Sequence, residues 1–399
     1  MFSFELLATE GQARAGKLAT PHGVIETPSF VAVGTQATPK AISLEDLQKV
    51  GTQVVIANAY HLHLQPGEEL IDKMGGLHEF MNWQGPLMTD SGGFQIFSLG
   101  AGREQGVGKI APIFPEAQDR GGHLSSKKGE SLVRVDEDGV DFRSYLDGST
   151  HRFTPESVIE TQRKLGADII FVLDECTSPL HDHQYTKAAM KRTHRWALRA
   201  LKAFKRASAR QQALFGIVQG GAYRDLREES AAFLSAQGFE GFAIGGALGK
   251  SKADMHQVLE WTTPLLPPDK PRHLLGIGDI EDIFDIVKRG VDLFDCVAPT
   301  RMARTGTLLS PQGDRFRIHI LNARFKEDPR PIDEGCRCHT CSHYSRAYMR
   351  HLFVAKEPAG IYLAGIHNMY FLESLMREIR EAIREKRLEA LSETWGLMG

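Results

Sequence analysis

The 399-residue chain has no long apolar run, few cysteines and almost no net charge. No stretch approaches the roughly 18 consecutive apolar residues that a membrane-spanning helix needs. The first residues, MFSFELLATEG, include Glu5 and no sustained apolar segment, so they do not resemble a secretory signal peptide. Five cysteines in a chain of this length do not predict a disulfide framework. We therefore expect a cytoplasmic globular protein with a large core.

Charge is balanced overall but unevenly distributed. A net charge of −2 argues against a general nucleic-acid-binding protein. Residues 301–330 are nevertheless rich in basic side chains: Arg301, Arg304, Arg315, Arg317, Arg324, Lys326 and Arg330. A local basic face of this kind can bind phosphates on a protein that is neutral overall, or it can be an ordinary solvated surface. Charge alone leaves both interpretations open.

Three of the five cysteines lie in one short motif. The motif has C-x-C-x2-C spacing and is followed by a later histidine: Cys336, Cys338, Cys341 and His367. Three thiolates and one imidazole form the closed set that tetrahedral zinc prefers, and a closed set indicates a structural ion. His339 and His343 are alternative ligands, but they lie so close to the cysteines that the chelate loop would be strained. We predict one structural Zn(2+) ion, the alternative being a chance grouping of thiols.

Short apolar runs rich in β-branched residues recur along the chain. We predict eight strands, at residues 29–34, 54–58, 87–90, 169–174, 214–220, 242–246, 274–278 and 293–297. Nearly continuous apolarity is typical of parallel strands that are buried on both faces. Amphipathic stretches separate most of the runs, and Ser43 and Thr154 occupy positions typical of helix starts. The alternation predicts an α/β fold, a (β/α)8 TIM barrel.

Further elements flank the predicted barrel. Alternation around Pro21, His22 and Gly23 predicts an N-terminal antiparallel hairpin. A second hairpin is predicted within 300–327, and the spacing of charged and apolar residues predicts a helix over 372–391.

We interpret residues 1–399 as a single catalytic barrel that contains a zinc-binding subdomain at 328–370. Residues 101–131 are rich in Gly, Ser and charge and fit neither helix nor strand. Because they follow the third predicted strand closely, we expect an insertion loop near the barrel mouth, the alternative being a disordered insertion.

Polar residues and glycines collect where the predicted strands end: Asn58, Asp90, Asp174, Gln219, Gly245, Gly246 and Asp295. In a TIM barrel the loops at this end form the active site, whereas the opposite end serves stability. Two carboxylates across such a mouth suit double displacement at a sugar carbon. Asp174 and Gln219 can present acceptors and donors to the edge of a heterocyclic base. The residues therefore indicate a transferase or hydrolase acting at a glycosidic bond, with a simple helix cap as the alternative role of Asp90.

Several long motifs occur in one order from about Arg14 to about Leu391. They are TDSGGFQ, NAYHLHLQPG, LDECT, GIVQGG, FAIGG, HLLGIG, FDCVAPTRMAR and the cysteine motif with its later IHN. Together they resemble the tRNA-guanine transglycosylase, or queuine tRNA-ribosyltransferase, family in its bacterial single-chain type. The resemblance implies a (β/α)8 barrel with a zinc-containing subdomain. It also implies a homodimer that exchanges guanine at the wobble position of tRNA with a G-U-N anticodon for preQ1 or queuine, in queuosine biosynthesis or salvage.

The resemblance also implies residue roles. Asp295 matches the nucleophile that forms a covalent ribosyl-aspartate, and Asp90 matches the general acid/base. The positions that match groups contacting the base or supporting that contact are Asp174, Gln219, Gly246, Ala247, Phe94, Asn58, Gln95 and Gly249. Arg301 and Arg304 match arginines that hold the anticodon of the RNA.

Two positions depart from the bacterial pattern. Asp279 stands where some bacterial members have a lysine directed toward the RNA. Gly249 stands where typical bacterial enzymes have a valine beside the 7-substituent of the base. We hypothesise that Gly249 leaves room for queuine itself, the alternative being simple loop flexibility.

Two other functional classes compete with the transferase interpretation. A retaining glycoside hydrolase would use Asp90 and Asp295 but would need neither zinc nor the arginine pair. A non-catalytic RNA-binding subunit would not need to keep both carboxylates.

Overall fold

The structure is a computed structural model that describes residues 2–97, 133–206 and 211–396. The predicted insertion at 101–131 lies outside the described residues. Three antiparallel strands open the chain: β1 (Ser3–Glu10), β2 (Ala13–Thr20) and β3 (Gly23–Thr27). The turn between β2 and β3 pairs Thr20 with Gly23, which confirms the predicted hairpin.

Eight parallel strands form a closed barrel. They are β4 (Ser29–Val33), β5 (Val55–Asn58), β6 (Leu87–Asp90), β10 (Ile169–Phe171), β11 (Ala213–Val218), β12 (Gly241–Ile244), β13 (Arg272–Leu274) and β14 (Leu293–Asp295). The strands follow chain order around the barrel, and β14 closes it by pairing with β4. Each of the eight predicted runs overlaps a barrel strand, although the run predicted at 274–278 shares only Leu274 with β13, and the predicted TIM barrel is confirmed. A separate antiparallel sheet consists of β7 (Val133–Val135), β8 (Val140–Arg143) and β9 (Thr150–Phe153).

Helices follow or separate the barrel strands. They are α1 (Leu44–Lys49), α2 (Ala59–Leu64), α3 (Glu68–Lys73), α4 (Leu77–Met81), α5 (Gly93–Phe97), α6 (Pro155–Leu165), α7 (His183–Arg206), α8 (Arg224–Ser235), α9 (Lys252–Thr262), α10 (Ile280–Lys288) and α11 (Ala298–Arg304). The Ser43 and Thr154 hydroxyls accept hydrogen bonds from the N–H groups of Asp46 and Ser157, both at 3.1 Å. Both predicted helix starts are therefore confirmed, because these oxygens satisfy N–H groups of the first turn.

The second predicted hairpin is shorter than expected. It consists of β15 (Thr307–Asp314) and β16 (Arg317–His319), whereas the first residues of the predicted range lie in α11. The turn residues Arg315 and Phe316 have φ values of 47° and 63°. Two consecutive positive φ values give the local twist that a tight hairpin requires.

The C-terminal part of the chain is helical: α12 (His339–His343), α13 (Arg346–Val354), α14 (Pro358–Arg384) and α15 (Leu388–Thr394). The predicted helix over 372–391 is wrong at both ends. Helix α14 begins with Pro358 in its first turn, where a missing N–H costs nothing. It ends before Lys386, whose φ of 56° interrupts the helical backbone.

Three apolar clusters among the described residues support these elements, and one of them surrounds Tyr60, Phe142 and Trp196. The barrel core includes strand residues such as Val55, Ile170 and Phe294, each fully buried. A second apolar cluster surrounds Cys338 and Cys341 between α11 and α14. Helix α14 contacts α11, β1, β2, β4 and β15, so it packs against both the barrel and the hairpin. No helix in the described part of the chain is long and apolar enough to cross a membrane.

Candidate active site and metal-binding cluster

A cavity of about 360 Å³ lies at the carboxyl end of the barrel strands. The predicted site residues that line it are Asn58, Asp90, Phe94, Gln95, Asp174, Gly246, Asp295 and Arg301. They come from segments that are remote in sequence, and the parallel strands bring them together because all their carboxyl ends meet at one mouth.

Asp90 is the last residue of β6 and is held by two donors. The Asn58 side-chain amide donates to Asp90 Oδ2 at 2.7 Å, and the Gly92 N–H donates to Oδ1 at 3.1 Å. Asn58 is paired with Asp90 across β5 and β6, and its own Oδ1 accepts the His61 N–H at the start of α2. The Asn58 side chain, which is held by its own hydrogen bond from the His61 N–H, therefore restricts the orientation of the Asp90 carboxylate.

Asp295 is the last residue of β14, on another part of the same mouth. Its Oδ1 accepts hydrogen bonds from His273 Nε2 and from the Gly276 N–H, both at 2.9 Å. The His273 side chain is fully buried, whereas the Asp295 side chain is 16% exposed. Within the described ranges His273 Nδ1 has no hydrogen-bond partner, so Nε2 is the nitrogen that carries the proton.

Asp174 and Gln219 form a buried polar pair beside the cavity. Gln219 Nε2 donates to Asp174 Oδ2 at 2.6 Å, and the Cys176 thiol donates to the same oxygen at 3.2 Å. In the described part of the chain the buried Gln219 Oε1 has no partner. An unsatisfied buried acceptor costs about 1–3 kcal/mol, and a donor on a bound ligand would remove that cost.

The backbone approaches this pair closely at Gly246. Its φ is 72°, and a Cβ atom added there would lie 2.0 Å from Gln219 Oε1. Only glycine therefore allows this loop to lie against the amide. Ala247 is buried and does not line the cavity, and its carbonyl accepts a hydrogen bond from Arg227 Nη2 at 2.8 Å.

Gly249 does not line this cavity. It lines a second cavity of about 310 Å³, together with residues that include Ser178, Tyr223 and Asp254. Its φ is 101°, and an added Cβ would lie 2.2 Å from the Asp254 Cβ. The geometry gives no support to the hypothesis that Gly249 widens the base pocket, and it favours an explanation other than loop flexibility, in which the positive φ and the closeness of Asp254 require glycine.

The two predicted RNA-binding arginines lie one turn apart on α11. Arg301 is exposed at the cavity rim, whereas Arg304 is half-buried and does not line the cavity. Asp279, which also lines the cavity, accepts a hydrogen bond from Arg317 Nη2 at 2.9 Å. Asp279 thus holds Arg317, a basic residue of the 301–330 segment, near the mouth of the barrel.

Cys296 lines the cavity next to Asp295 but is unsuited to act as a nucleophile. Burial, with a smaller contribution from Asp279, raises the pKa of the Cys296 thiol to about 12. The thiol therefore stays protonated at neutral pH, and the thiolate is the nucleophilic form.

Two residues important to the site were missing from the sequence-based predictions. His273 contacts Asp295, and Arg227 on α8 donates hydrogen bonds to the loops that carry Gln219 and Gly246. Both side chains are fully buried. His273 opens the HLLGIG motif, which could have singled it out, whereas Arg227 lies in the charged helix segment RDLREESAAFLS, where nothing in the sequence distinguishes it.

The four predicted metal ligands converge. His367 Nδ1 lies 3.7, 3.5 and 3.3 Å from the sulfur atoms of Cys336, Cys338 and Cys341. His367 Nε2 donates to the Leu309 carbonyl at 2.6 Å, which leaves Nδ1 as the lone pair facing the thiols. Zn–S and Zn–N bonds of about 2.3 and 2.0–2.1 Å at a tetrahedral angle separate sulfur and nitrogen by about 3.6 Å. The residues thus fit a four-coordinate ion of this size.

His339 and His343 do not join the cluster. Both are exposed, and His343 Nδ1 lies 2.9 Å from the His339 carbonyl. Among the candidate fourth ligands, His367 is the one that the structure places with the cysteines.

A second group of potential ligands lies at the opposite end of the barrel and consists of His22, His78 and Asp168. The two imidazole rings are stacked, with centroids 3.6 Å apart and planes inclined by 18°. An imidazole binds a metal within its ring plane at about 2.0–2.1 Å, so two nearly parallel rings cannot share one ion. His22 Nδ1 lies 2.7 Å from Asp168 Oδ1, and we interpret the group as a hydrogen-bonded cluster.

A closed parallel barrel with paired carboxylates at its carboxyl-terminal mouth has the layout of a barrel enzyme. The family model described as queuine tRNA-ribosyltransferase matches residues 9–113 and 115–396. A protein of Archaeoglobus fulgidus named putative queuine tRNA-ribosyltransferase is 50% identical over 400 residues, covering 98% of each chain. Queuine tRNA-ribosyltransferases of Herpetosiphon aurantiacus and Caldanaerobacter subterraneus are 48% and 49% identical, covering 99% and 94% of this chain and 92% of each relative. The chain belongs to the queuine tRNA-ribosyltransferase family, whose members are transferases.

Proposed function

We propose that this protein is a tRNA-guanine transglycosylase that exchanges guanine at the wobble position of a G-U-N anticodon for a 7-deazaguanine, preQ1 or queuine. One observation carries the proposal. Two separately fixed carboxylates, Asp90 and Asp295, line the cavity beside a buried pair, Asp174 and Gln219, that can read a base edge. Membership of the family supports the same reaction.

In the first half-reaction Asp295 attacks C1′ of the target ribose. A bond forms between a carboxylate oxygen and C1′, the C1′–N9 bond breaks, and guanine leaves with the electron pair and takes up a proton at N9 from Asp90, the general acid of this step. The His273 and Gly276 donors hold Asp295 Oδ1 and so restrict rotation of the carboxylate. Restricting the attacking group in this way supplies part of the rate enhancement.

In the second half-reaction the incoming base attacks C1′ and releases Asp295. Asp90 removes the proton from N9 of that base, so that the N9 electron pair can form the new bond. Two displacements at one carbon retain the configuration of the ribose. The proton that Asp90 accepts here replaces the one that it gave to the departing guanine, so Asp90 ends the cycle in its starting state.

Selection of the base would depend on the buried pair and its neighbours. Gln219 Oε1 can accept a hydrogen bond from the base, and Asp174 can accept from its N–H groups. The Gly246 and Ala247 backbone would contact the base, Phe94 would stack on it, and Gln95 would support it. Because Gly249 faces the second cavity, it gives no reason to prefer queuine over preQ1.

RNA binding and assembly complete the proposal. Arg301 at the rim, supported by Arg304, would hold the anticodon phosphates of the tRNA. The cluster of Cys336, Cys338, Cys341 and His367 would hold one Zn(2+), which would stabilise the C-terminal segment without taking part in the reaction. A homodimer is proposed from the family resemblance, and exposed apolar side chains near the cluster, Tyr348 and Val354, are available for such a contact.

Base exchange with labelled guanine tests the proposal. The enzyme is incubated with radiolabelled guanine and a tRNA with a G-U-N anticodon, and is then chased with unlabelled preQ1 or queuine. We expect label to enter the tRNA and at least one 7-deazaguanine to displace it, whereas Asp295→Ala should incorporate none. Release of sugar or base without incorporation would identify a glycoside hydrolase instead. RNA binding without either reaction would identify a non-catalytic subunit.

A further inference from the structure

Arg227 is a buried cation whose donors all contact the backbone of two loops. Its Nε donates to the Gly221 carbonyl at 2.7 Å, and Nη1 donates to the Val218 carbonyl at 2.9 Å. Its Nη2 donates to the carbonyls of Gly245 and Ala247 at 3.0 and 2.8 Å. One planar guanidinium group thus connects the loop after β11 to the loop after β12.

This arrangement is energetically costly. The Arg227 side chain is fully buried, and across the described residues it forms no ion pair with a carboxylate. Burial lowers the pKa of Arg227 to about 9, which shows how strongly the surroundings disfavour its charge. Burying a cation that has only carbonyl partners costs free energy, and this cost is consistent with a requirement for the loop geometry that its hydrogen bonds hold.

The two loops that Arg227 connects are the base-reading loops of the proposed function. The Val218 carbonyl shares a peptide unit with the Gln219 N–H, which donates to Ser230 Oγ at 3.2 Å. Arg227 and Ser230 are both buried on α8, so this helix fixes the Gln219 backbone at two points. The position of the Gln219 amide relative to Asp174 therefore depends on Arg227.

The same reasoning applies to Gly246. The Gly245 carbonyl shares a peptide unit with the Gly246 N–H, and Gly246 lines the cavity. A charged donor on the carbonyl polarises the peptide unit and strengthens its N–H as a donor, since hydrogen bonds in a chain polarise one another. Arg227 is thus placed to fix the loop and to strengthen a donor at the cavity wall.

We propose that Arg227 is a positioning residue for base recognition, which holds the Gln219 and Gly246 loops in register and polarises the Gly246 N–H toward the bound base. The inference rests on the proposed function and deepens it by adding a residue to the base-selecting site. Arg227 does not itself contact the cavity.

Guanine binding to two matched pairs of variants tests the proposal. Arg227→Met removes the charge and all donors, whereas Arg227→Lys keeps the charge but loses the planar fork. Arg272→Met and Arg272→Lys are the controls, because Arg272 is also buried and donates to backbone carbonyls, those of Leu266 and Gly290, at the opposite end of the barrel. Thermal unfolding and metal content are measured for all four variants.

We expect Arg227→Met to weaken guanine binding by about 10- to 100-fold in calorimetry, and to raise the KM for guanine equally in exchange. Arg227→Lys should show a smaller loss, and the KM for tRNA should change by less than about 2-fold. The Arg272 variants should unfold at lower temperature but bind guanine like the wild type. If Arg227→Met does not fold, the comparison of Arg227→Lys with Arg272→Lys decides the result.

Each contrary outcome has a distinct meaning. Wild-type protein that binds no guanine would overturn the proposed function together with this inference. Guanine binding that is unchanged in the Arg227 variants, with normal exchange by the wild type, would overturn the inference alone. An equal loss in the Arg227 and Arg272 variants would show that Arg227 acts only through overall stability, which also overturns it.

Discussion

His273 Nε2 lies 2.9 Å from Asp295 Oδ1, and the Gly276 N–H contacts the same oxygen at the same distance. The histidine is fully buried in β13 and packs edge-to-face against Phe171, with ring centroids 5.5 Å apart. A side chain held this firmly gives the carboxylate a fixed orientation before any substrate binds. In the proposed reaction, such preorganisation would lower the barrier to attack at C1′.

Replacing His273 should therefore lower the rate of exchange more than it lowers substrate binding. We expect His273→Phe to reduce kcat by about 10- to 100-fold, because a hydrogen bond to a charged group is lost. His273→Gln, which can place an amide N–H near the same position, should recover part of the loss. His78→Phe is the control, since His78 contacts buried Asp168 at the opposite end of the barrel and should leave kcat unchanged. A kcat for His273→Phe equal to that of the wild type would show that the contact is only structural.

Asn58 offers a similar test of Asp90. Asn58→Asp keeps the acceptor that caps α2 but replaces the amide donor, 2.7 Å from Asp90 Oδ2, with a like-charged oxygen. Repulsion between two carboxylates at this distance disfavours ionisation of both. We therefore expect the rate of base exchange to fall by at least about 10-fold at neutral pH. Steady-state exchange and thermal unfolding are measured together. Unchanged activity in a folded variant would argue against Asp90 as the acid/base.

Metal content distinguishes the fourth ligand. His367→Ala should lose the ion and unfold at lower temperature, because binding at a structural site contributes directly to folding. His343→Ala is a matched control in the same region, exposed and outside the cluster. Elemental analysis of both purified variants, followed by thermal unfolding with and without a chelator, makes the comparison. Loss of metal from the His343 variant but not from the His367 variant would contradict the proposed ligand set.

The buried imidazole of His194 should make the stability of the protein depend on pH. Burial lowers the pKa of His194 from 6.5 to about 4, and its Nε2 lies 2.9 Å from Ser230 Oγ. The His194 imidazole takes up a proton near pH 6.5 in the unfolded chain but only near pH 4 in the folded chain. Its contribution to the free energy of unfolding is therefore complete above pH 6.5 and is lost as the pH falls toward 4. The shift corresponds to a loss on the order of 3 kcal/mol at the acid end.

Denaturant unfolding between pH 7 and 4 measures this effect. His194→Gln removes the titrating group and should flatten the profile in that window, relative to the wild type. Parallel profiles for the two proteins would show that His194 does not control acid stability.

The sequence was sufficient to predict the barrel because its signal is repeated. Each of the eight apolar runs with a polar residue at its end predicts a strand by itself, and all eight agree with the same barrel fold. The cluster of three thiols and an imidazole, which could hold a metal ion, was predictable because its residue types and spacing are typical of zinc ligands.

Long-range contacts were the part that could not be predicted. Arg227 and His273 act on residues of other elements, so no local spacing marks them. The surroundings of Gly249 could not be predicted for a related reason, since its φ of 101° and its closeness to Asp254 depend on the path of the folded loop. Helix α14 begins before its predicted start because buried residues on nearly all sides hide the helical period in 358–371.

We propose that Asp295 forms a covalent bond to the ribose of the tRNA, and trapping that bond on the enzyme is the decisive experiment. The enzyme is mixed with a G-U-N tRNA, denatured and separated under denaturing conditions, then analysed by mass spectrometry after RNA digestion. We predict a band that contains both protein and RNA, with the ribose attached to the peptide carrying Asp295. This band should be absent in Asp295→Asn. It should also disappear when excess guanine is added before denaturation. Base exchange by the wild type without any such adduct, or an adduct on another residue, would contradict the mechanism.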